Sequence, residues 1–107
     1  MSTNTNTQLN LDDIEMIEGG AETQEEYYTA IQKAINSGMG WKMQGSYGRT
    51  IMDAIRSGCC MLGVHRAQDY YGNTIPSRDD VEPGTYGSYE YVIEMHGQDW
   101  ADLMGSL

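Results

Sequence analysis

Apolar positions recur at helical spacing in the first half of the chain. Tyr27, Ala30, Ile31, Ala34 and Ile35 fall on one face of a 3.6-residue period, and polar residues fill the intervals. Thr23 stands ahead of this run with Glu26 three residues on, the spacing of a capping box. Gly38 follows the last apolar position and marks the stop. This pattern predicts a helix over about residues 24–37. It recurs at an offset of 20, where Tyr27, Ile31, Ala34, Ile35, Ser37 and Gly38 match Tyr47, Ile51, Ala54, Ile55, Ser57 and Gly58. A second helix is therefore expected over about residues 47–57, with Ser46 as its cap. An internal duplication and two helices solving one packing problem both account for the match.

Short apolar runs follow each glycine, at residues 41–44 and 59–64. Read as strands, they give helix–strand–helix–strand with both helices covering one sheet face. Residues 68–75 predict a third strand that ends at Pro76, and residues 77–87 a loop. In that loop Glu82-Pro83-Gly84-Thr85 places Pro and Gly at the centre of a type II turn. Residues 88–96 fit two periods. Tyr89, Tyr91, Ile93 and Met95 alternate as in a strand, while Tyr89, Val92, Ile93 and His96 suit a helix between Ser88 and Gly97; the helix is preferred. Residues 99–104 form a terminal turn or helix anchored by Trp100 and Leu103.

At the other end, residues 1–8 are rich in Ser, Thr and Asn and read as disordered. Leu11, Ile14 and Ile17 could share a face of a short helix, capped by Asn10, with Asp12 and Asp13 in the first turn. So short a helix is marginal alone and must dock on its own domain or on a partner. Gly19-Gly20 reads as a hinge. The expected organisation is a flexible acidic N-terminal tail, residues 1–22, and an α+β domain, residues 23–107, with two or three helices packed on one face of a short sheet.

Composition changes this picture in two ways. Phe is absent from the 107 residues, and eight Tyr, two Trp and eight Met supply the bulk. Tyr and Trp carry polar tips and Met adapts to irregular surfaces, so a thin core and an amphipathic exterior are expected. The adjacent Cys59 and Cys60 suit two reduced thiols better than a mutual disulfide, which favours a cytoplasmic setting. The start has no signal-peptide pattern, and no run of apolar residues is long enough to span a membrane.

Net charge is −10 and strongly segregated. Residues 1–32 and 79–107 carry seven acids each and no base. All six bases, Lys33, Lys42, Arg49, Arg56, Arg66 and Arg78, lie between them with only Asp53 and Asp69. Such acidity argues against direct binding to nucleic acid or to an anionic membrane. It leaves room for a local positive site, or for acidic ends that fold back over a basic middle.

Lys42, Gly45, Ser46, Gly48 and Arg49 make the best candidate site. A glycine turn leads into a helix N-terminus, whose free N–H groups attract anions, and Arg49 adds a planar fork for phosphate or carboxylate. Lys is missing after Gly45, so this is not a Walker A loop. Arg66 and Arg78 flank the expected third strand and could join the patch, with Tyr70 or Tyr71 as a stacking surface. The plainer alternatives are a turn with its cap, Arg49 paired to a C-terminal acid, and solvated loop charge. Asp12, Asp13, Glu15 and Glu18 are the candidate partner-binding acids. Adjacent cysteines do not converge easily on one ion, so no metal site is expected. Cys59 or Cys60 with His65 or His96 would be the raw material for a nucleophile, but no known catalytic spacing surrounds them. Neither an enzyme nor a cofactor is expected.

Several strings together carry a resemblance: Gly45-Ser46-Tyr47-Gly48-Arg49; Ser57-Gly58 with Met61-Leu62-Gly63; Asp69-Tyr70-Tyr71-Gly72-Asn73-Thr74-Ile75-Pro76-Ser77-Arg78; and Val81-Glu82-Pro83-Gly84-Thr85-Tyr86-Gly87-Ser88. Over about residues 27–97 the chain resembles a group of small bacteriophage and prophage proteins that have no assigned activity. The resemblance implies a phage origin and action in the bacterial cytoplasm or in a virion. The expected function is then a phage accessory protein that binds a host protein stoichiometrically and inhibits an enzyme or defence factor. The alternatives are a sponge for a nucleotide-like, phosphate-containing small molecule, and a minor virion component; self-association fits any of these.

Overall fold

The computed structural model describes residues 11–43 and 46–107, and among them five α-helices and one two-stranded sheet. The protein is mixed α+β and mostly helical. Asn10, read as a cap, and Gly45, read as part of an anion-binding turn, lie outside the described residues, as does the Ser/Thr/Asn-rich start.

Helix α1, Leu11–Glu15, runs into a π-helical turn, Met16–Gly20, which ends where Gly19 takes φ 126°. Both pieces pack on the next helix. Residues 11–20, assigned on sequence to a tail, are thus helical and seated on the domain. Ile17 reaches the core, whereas Leu11 is 81% exposed, so the expected apolar face docks only in part. Asp13 is buried, with Lys33 Nζ 4.0 Å from its carboxylate.

Helix α2, Gln24–Ser37, starts and stops where its signals stand. Thr23 Oγ1 accepts from Glu26 N at 3.1 Å, and Glu26 Oε1 accepts from Glu22 N at 2.8 Å. Ala30, Ile31, Ala34 and Ile35 are buried. Helix α3, Tyr47–Arg56, buries Ile51, Ala54 and Ile55 against it. Ser46 holds the N-cap position, but its hydroxyl makes no capping bond.

Neither segment read as a strand after these helices is one. Trp41 sits on a single 3₁₀ turn, Gly40–Lys42, wedged between α2 and α3. Gly40 is what permits the wedge: a Cβ there would lie 2.7 Å from Ile51 Cδ1 and 3.0 Å from Ala34 Cβ. Residues 58–63 form a buried link whose backbone is satisfied by other groups than a neighbouring strand. Gln32, fully buried, donates from Nε2 to the Met61 carbonyl at 2.8 Å and accepts from Met61 N at 2.9 Å. Leu62 N donates to the Gly87 carbonyl at 2.9 Å. Arg78 completes the clasp, donating from Nε to Leu62 O and from its backbone N to Gly63 O, both at 2.8 Å. Buried amides must be paired, and side chains here do what a strand would have done. Apolar content made the link look like a strand; it records burial, which a coil with satisfied backbone also tolerates.

The expected third strand is a hairpin, β1, Ala67–Gln68, antiparallel to β2, Thr74–Ile75, with Ala67 opposite Ile75. Asp69 makes the reversal: its Oδ1 accepts from Tyr71 N at 2.9 Å and Asn73 N at 2.8 Å, and Gly72 takes φ 85°. The sheet is therefore a short ribbon beside the 3₁₀ turn, and the core lies among the helices and the link instead of on a sheet face. The turn at Glu82–Thr85 forms as read, with Thr85 N on Glu82 O at 3.0 Å and Gly84 at φ 94°. Helix α4, Tyr89–His96, confirms the helical reading of its segment, capped by the Ser88 hydroxyl on Tyr91 N at 3.1 Å. Helix α5, Gln98–Gly105, packs back on α4, with Ala101 and Met104 buried deeper than the expected anchors Trp100 and Leu103.

Candidate binding site

The 3₁₀ turn, the first turns of α3 and the hairpin enclose an open groove of about 560 Å³. Trp41, Met43, Met52 and Ile75 give it an apolar lining, with Gly48, Asp69, Tyr70 and Tyr71 around them. A backbone bond from Tyr70 N to the Trp41 carbonyl, 3.1 Å, fastens the hairpin to the turn. The two tyrosine rings meet edge to face, centroids 5.3 Å apart, and stand 57% and 84% exposed. Asp69 accepts from Asn73, Tyr71 and Gly72, and these donors hold its carboxyl below the usual range, so it stays ionised. An apolar floor with aromatic edges and a fixed negative charge suits an apolar or cationic group better than an anion.

The candidate anion residues are distributed differently from the expectation. Gly48 lines the groove, and Lys42, Ser46 and Arg49 are exposed and stand outside its lining. The hydroxyl of Tyr47, the first residue of α3, however, donates to Glu18 Oε2 at 2.5 Å, which ties that helix to one of the chain's own carboxylates. Burial, together with that bond to Glu18, pushes the Tyr47 hydroxyl up to about 12. Arg66 is held by Asp80 through two bonds, 2.7 Å from Nε and 3.0 Å from Nη2. That fork, with the Ser77 N–H and hydroxyl, keeps Asp80 far below the usual carboxylate range. Arg78 is spent on the link, with Asn36 Oδ1 a further 3.4 Å contact. Acids from both chain ends thus reach bases of the middle, at Asp13–Lys33 and Asp80–Arg66. Among the candidate partner-binding acids, Asp12, Glu15 and Glu18 are exposed, and Asp13 is not.

Sequence reasoning noticed the two tyrosines but placed them on a strand, and it missed Asp69, Met52 and Ile75. The available signal was Asp69 followed by Gly72-Asn73, a turn-forming cluster inside an apolar run. Of the Cys–His pairings open to the sequence, the structure makes one: Cys59 Sγ lies 3.3 Å from His96 Nε2. No family model, curated protein or solved structure matches the chain.

Proposed function

We propose that the protein acts by stoichiometric binding, as a phage accessory factor whose Tyr70–Tyr71 hairpin and adjoining groove dock on a host protein and block it. The observation that carries this reading is the pair of exposed tyrosines standing over Trp41, Met43 and Met52. Clustered aromatic and thioether groups are the usual anchors of protein interfaces. A net charge of −10 would steer the encounter toward a basic surface. Asp69 at the groove adds a fixed site for a lysine or arginine side chain of the partner. The phage setting rests on the sequence resemblance. An anion sponge draws less support, because Arg66 and Arg78 are committed to other groups and Tyr47 of α3 already holds the Glu18 carboxylate.

The test is capture from host lysate at low salt, with the bound protein identified and quantified by mass spectrometry. One basic partner should be retained at near-equal stoichiometry, weaken with added salt, and be lost with the double variant Tyr70→Ala/Tyr71→Ala at unchanged circular dichroism. Retention of the same partner by that variant would refute docking through the hairpin. Thermal stabilisation by micromolar nucleotide that disappears in Arg49→Ala would favour the sponge instead.

A further inference from the structure

Past the C-terminal end of α3, three elements converge on one sulfur. Cys59 lies in the buried link that follows α3. His96, the last residue of α4, brings Nε2 to 3.3 Å from Cys59 Sγ and 3.1 Å from the Ser57 carbonyl. Burial, together with the neighbouring Cys59 thiol, pushes the hydroxyl of Tyr28 on α2 up to about 12. Trp100 Nε1 donates to the Cys59 carbonyl at 2.8 Å, fixing the backbone that carries the sulfur. The neighbouring thiol is arranged in the opposite way. Cys60 is 0% exposed and donates to the Tyr28 carbonyl at 3.4 Å, and burial pushes it well above the usual thiol range. Cys59 keeps 8% exposure and lies against an imidazole that is itself exposed.

We propose that Cys59 is a thiol-modification site, activated by His96, that takes a small disulfide and forms a stable mixed disulfide. In the tautomer that carries its proton on Nδ1, His96 Nε2 accepts the Sγ proton as the sulfur attacks one sulfur of the reagent. The reagent's S–S bond breaks, and its other half leaves as a thiol that takes the proton back from His96. Cys59 is oxidised to the disulfide level, and the departing half of the reagent is reduced. The Ser57 carbonyl has a part in this exchange. Once Nε2 carries the proton, that carbonyl accepts from it and holds the charged ring beside the sulfur. Cys60 does not resolve the adduct, because its own thiol is fully buried and committed to the Tyr28 carbonyl. A lone thiol would ordinarily be a small apolar filler; the base at hydrogen-bond distance and the difference in exposure between two adjacent cysteines separate this one from that role.

The probe is dithiodipyridine, a neutral disulfide whose released thione absorbs, applied to the folded full-length chain. One thiol should react in a fast phase, with peptide mass placing the adduct on Cys59. Cys59→Ala should abolish that phase, and Cys60→Ala should keep it. His96→Gln, at unchanged circular dichroism, should slow it by about a hundredfold, the lower end of what a positioned base supplies. If Cys60→Ala does not fold, the adduct position in the unsubstituted chain decides the same point. Equal rates at both thiols, set by unfolding, would overturn the proposal. So would a His96→Gln rate equal to that of the unsubstituted chain.

Discussion

At the end of α2, Ser37 Oγ donates to the Ala34 carbonyl at 3.0 Å and accepts from Met39 N at 3.1 Å, while Gly38 turns at φ 77° with its N–H on Ile35 O. At the end of α3, twenty residues on, Ser57 Oγ donates to Ala54 O at 3.0 Å and accepts from Cys59 N at 3.4 Å, and Gly58 turns at φ 80° with its N–H on Ile55 O. The same residues build the same helix stop. The segments beyond the two stops have nothing in common. After Gly38 the chain makes a 3₁₀ turn, and Trp41 becomes a wall of an open groove. After Gly58 it enters the core and stays buried to residue 63. The helix faces diverge at matching positions too: Gln32 clamps the buried link, and its counterpart Met52 lines the groove. Local caps are written in local sequence, whereas the fate of the next segment depends on what waits for it across the molecule.

The largest effect that breaks this pairing should come from Gln32. Gln32→Leu keeps the volume and leaves the Met61 N–H and carbonyl buried without partners. Each such group costs about 1–3 kcal/mol, so the loss in urea unfolding should be about 2–6 kcal/mol. The reciprocal change, Met52→Gln, faces an open groove and should stay within about 1 kcal/mol, while altering whatever the groove binds. A small loss for Gln32→Leu would mean that the link finds water or other donors, and the clamp would lose its significance.

The two stop glycines offer a closer comparison. At both, alanine must adopt the left-handed region, at a cost of about 1–2 kcal/mol. At Gly38 that is nearly the whole effect, since the new Cβ would meet only Ala67 Cβ, at 3.6 Å. At Gly58 it would stand 2.6 Å from Met95 Cβ, an atom fixed to the backbone of α4. Overpacking of this kind adds about 1–3 kcal/mol. Gly58→Ala should therefore destabilise more than Gly38→Ala by at least that increment, read as paired chemical denaturation midpoints. Equal losses would show that α4 gives way, and would place the α4–α5 pair on a softer footing than its contacts with the link imply.

This contrast also marks how far the sequence could be read. Thr23 with Glu26, Gly38, Ser88 and the Pro83-Gly84 turn all act within a few residues of themselves, and each sits where the sequence put it. The link failed that reading because its partners are remote: Gln32, Gly87 and Arg78 lie 15 to 29 residues from the groups they pair. An extended buried segment has the composition of a strand whether a strand or a glutamine completes its bonds. The groove was hidden for a related reason. Its two tyrosines were visible as residues, but their exposure comes from Asp69 folding the hairpin back at Gly72. The basic middle was visible as a composition, and the structure divides it by giving Arg66 to Asp80 and Arg78 to the link.

The smallest expected effect concerns the starts of the same two helices, where the likeness between them fails. Thr23 accepts from Glu26 N at 3.1 Å, and nothing else among the bonds of that turn replaces its hydroxyl. Thr23→Ala should cost about 1 kcal/mol, the usual loss for a working cap. Ser46 occupies the equivalent position, but its hydroxyl makes no cap bond, and its carbonyl, which accepts from Thr50 N at 2.9 Å, survives the substitution. Ser46→Ala should therefore change stability by under about 0.5 kcal/mol. Thermal unfolding of the two variants side by side measures the difference directly. A loss at Ser46 equal to that at Thr23 would mean that the hydroxyl does cap α3 in solution, turning toward the free N–H groups of Gly48 or Arg49. The head of α3 would then already be satisfied from within, and an anion binding there would have to displace both that hydroxyl and the Glu18 carboxylate held nearby by Tyr47.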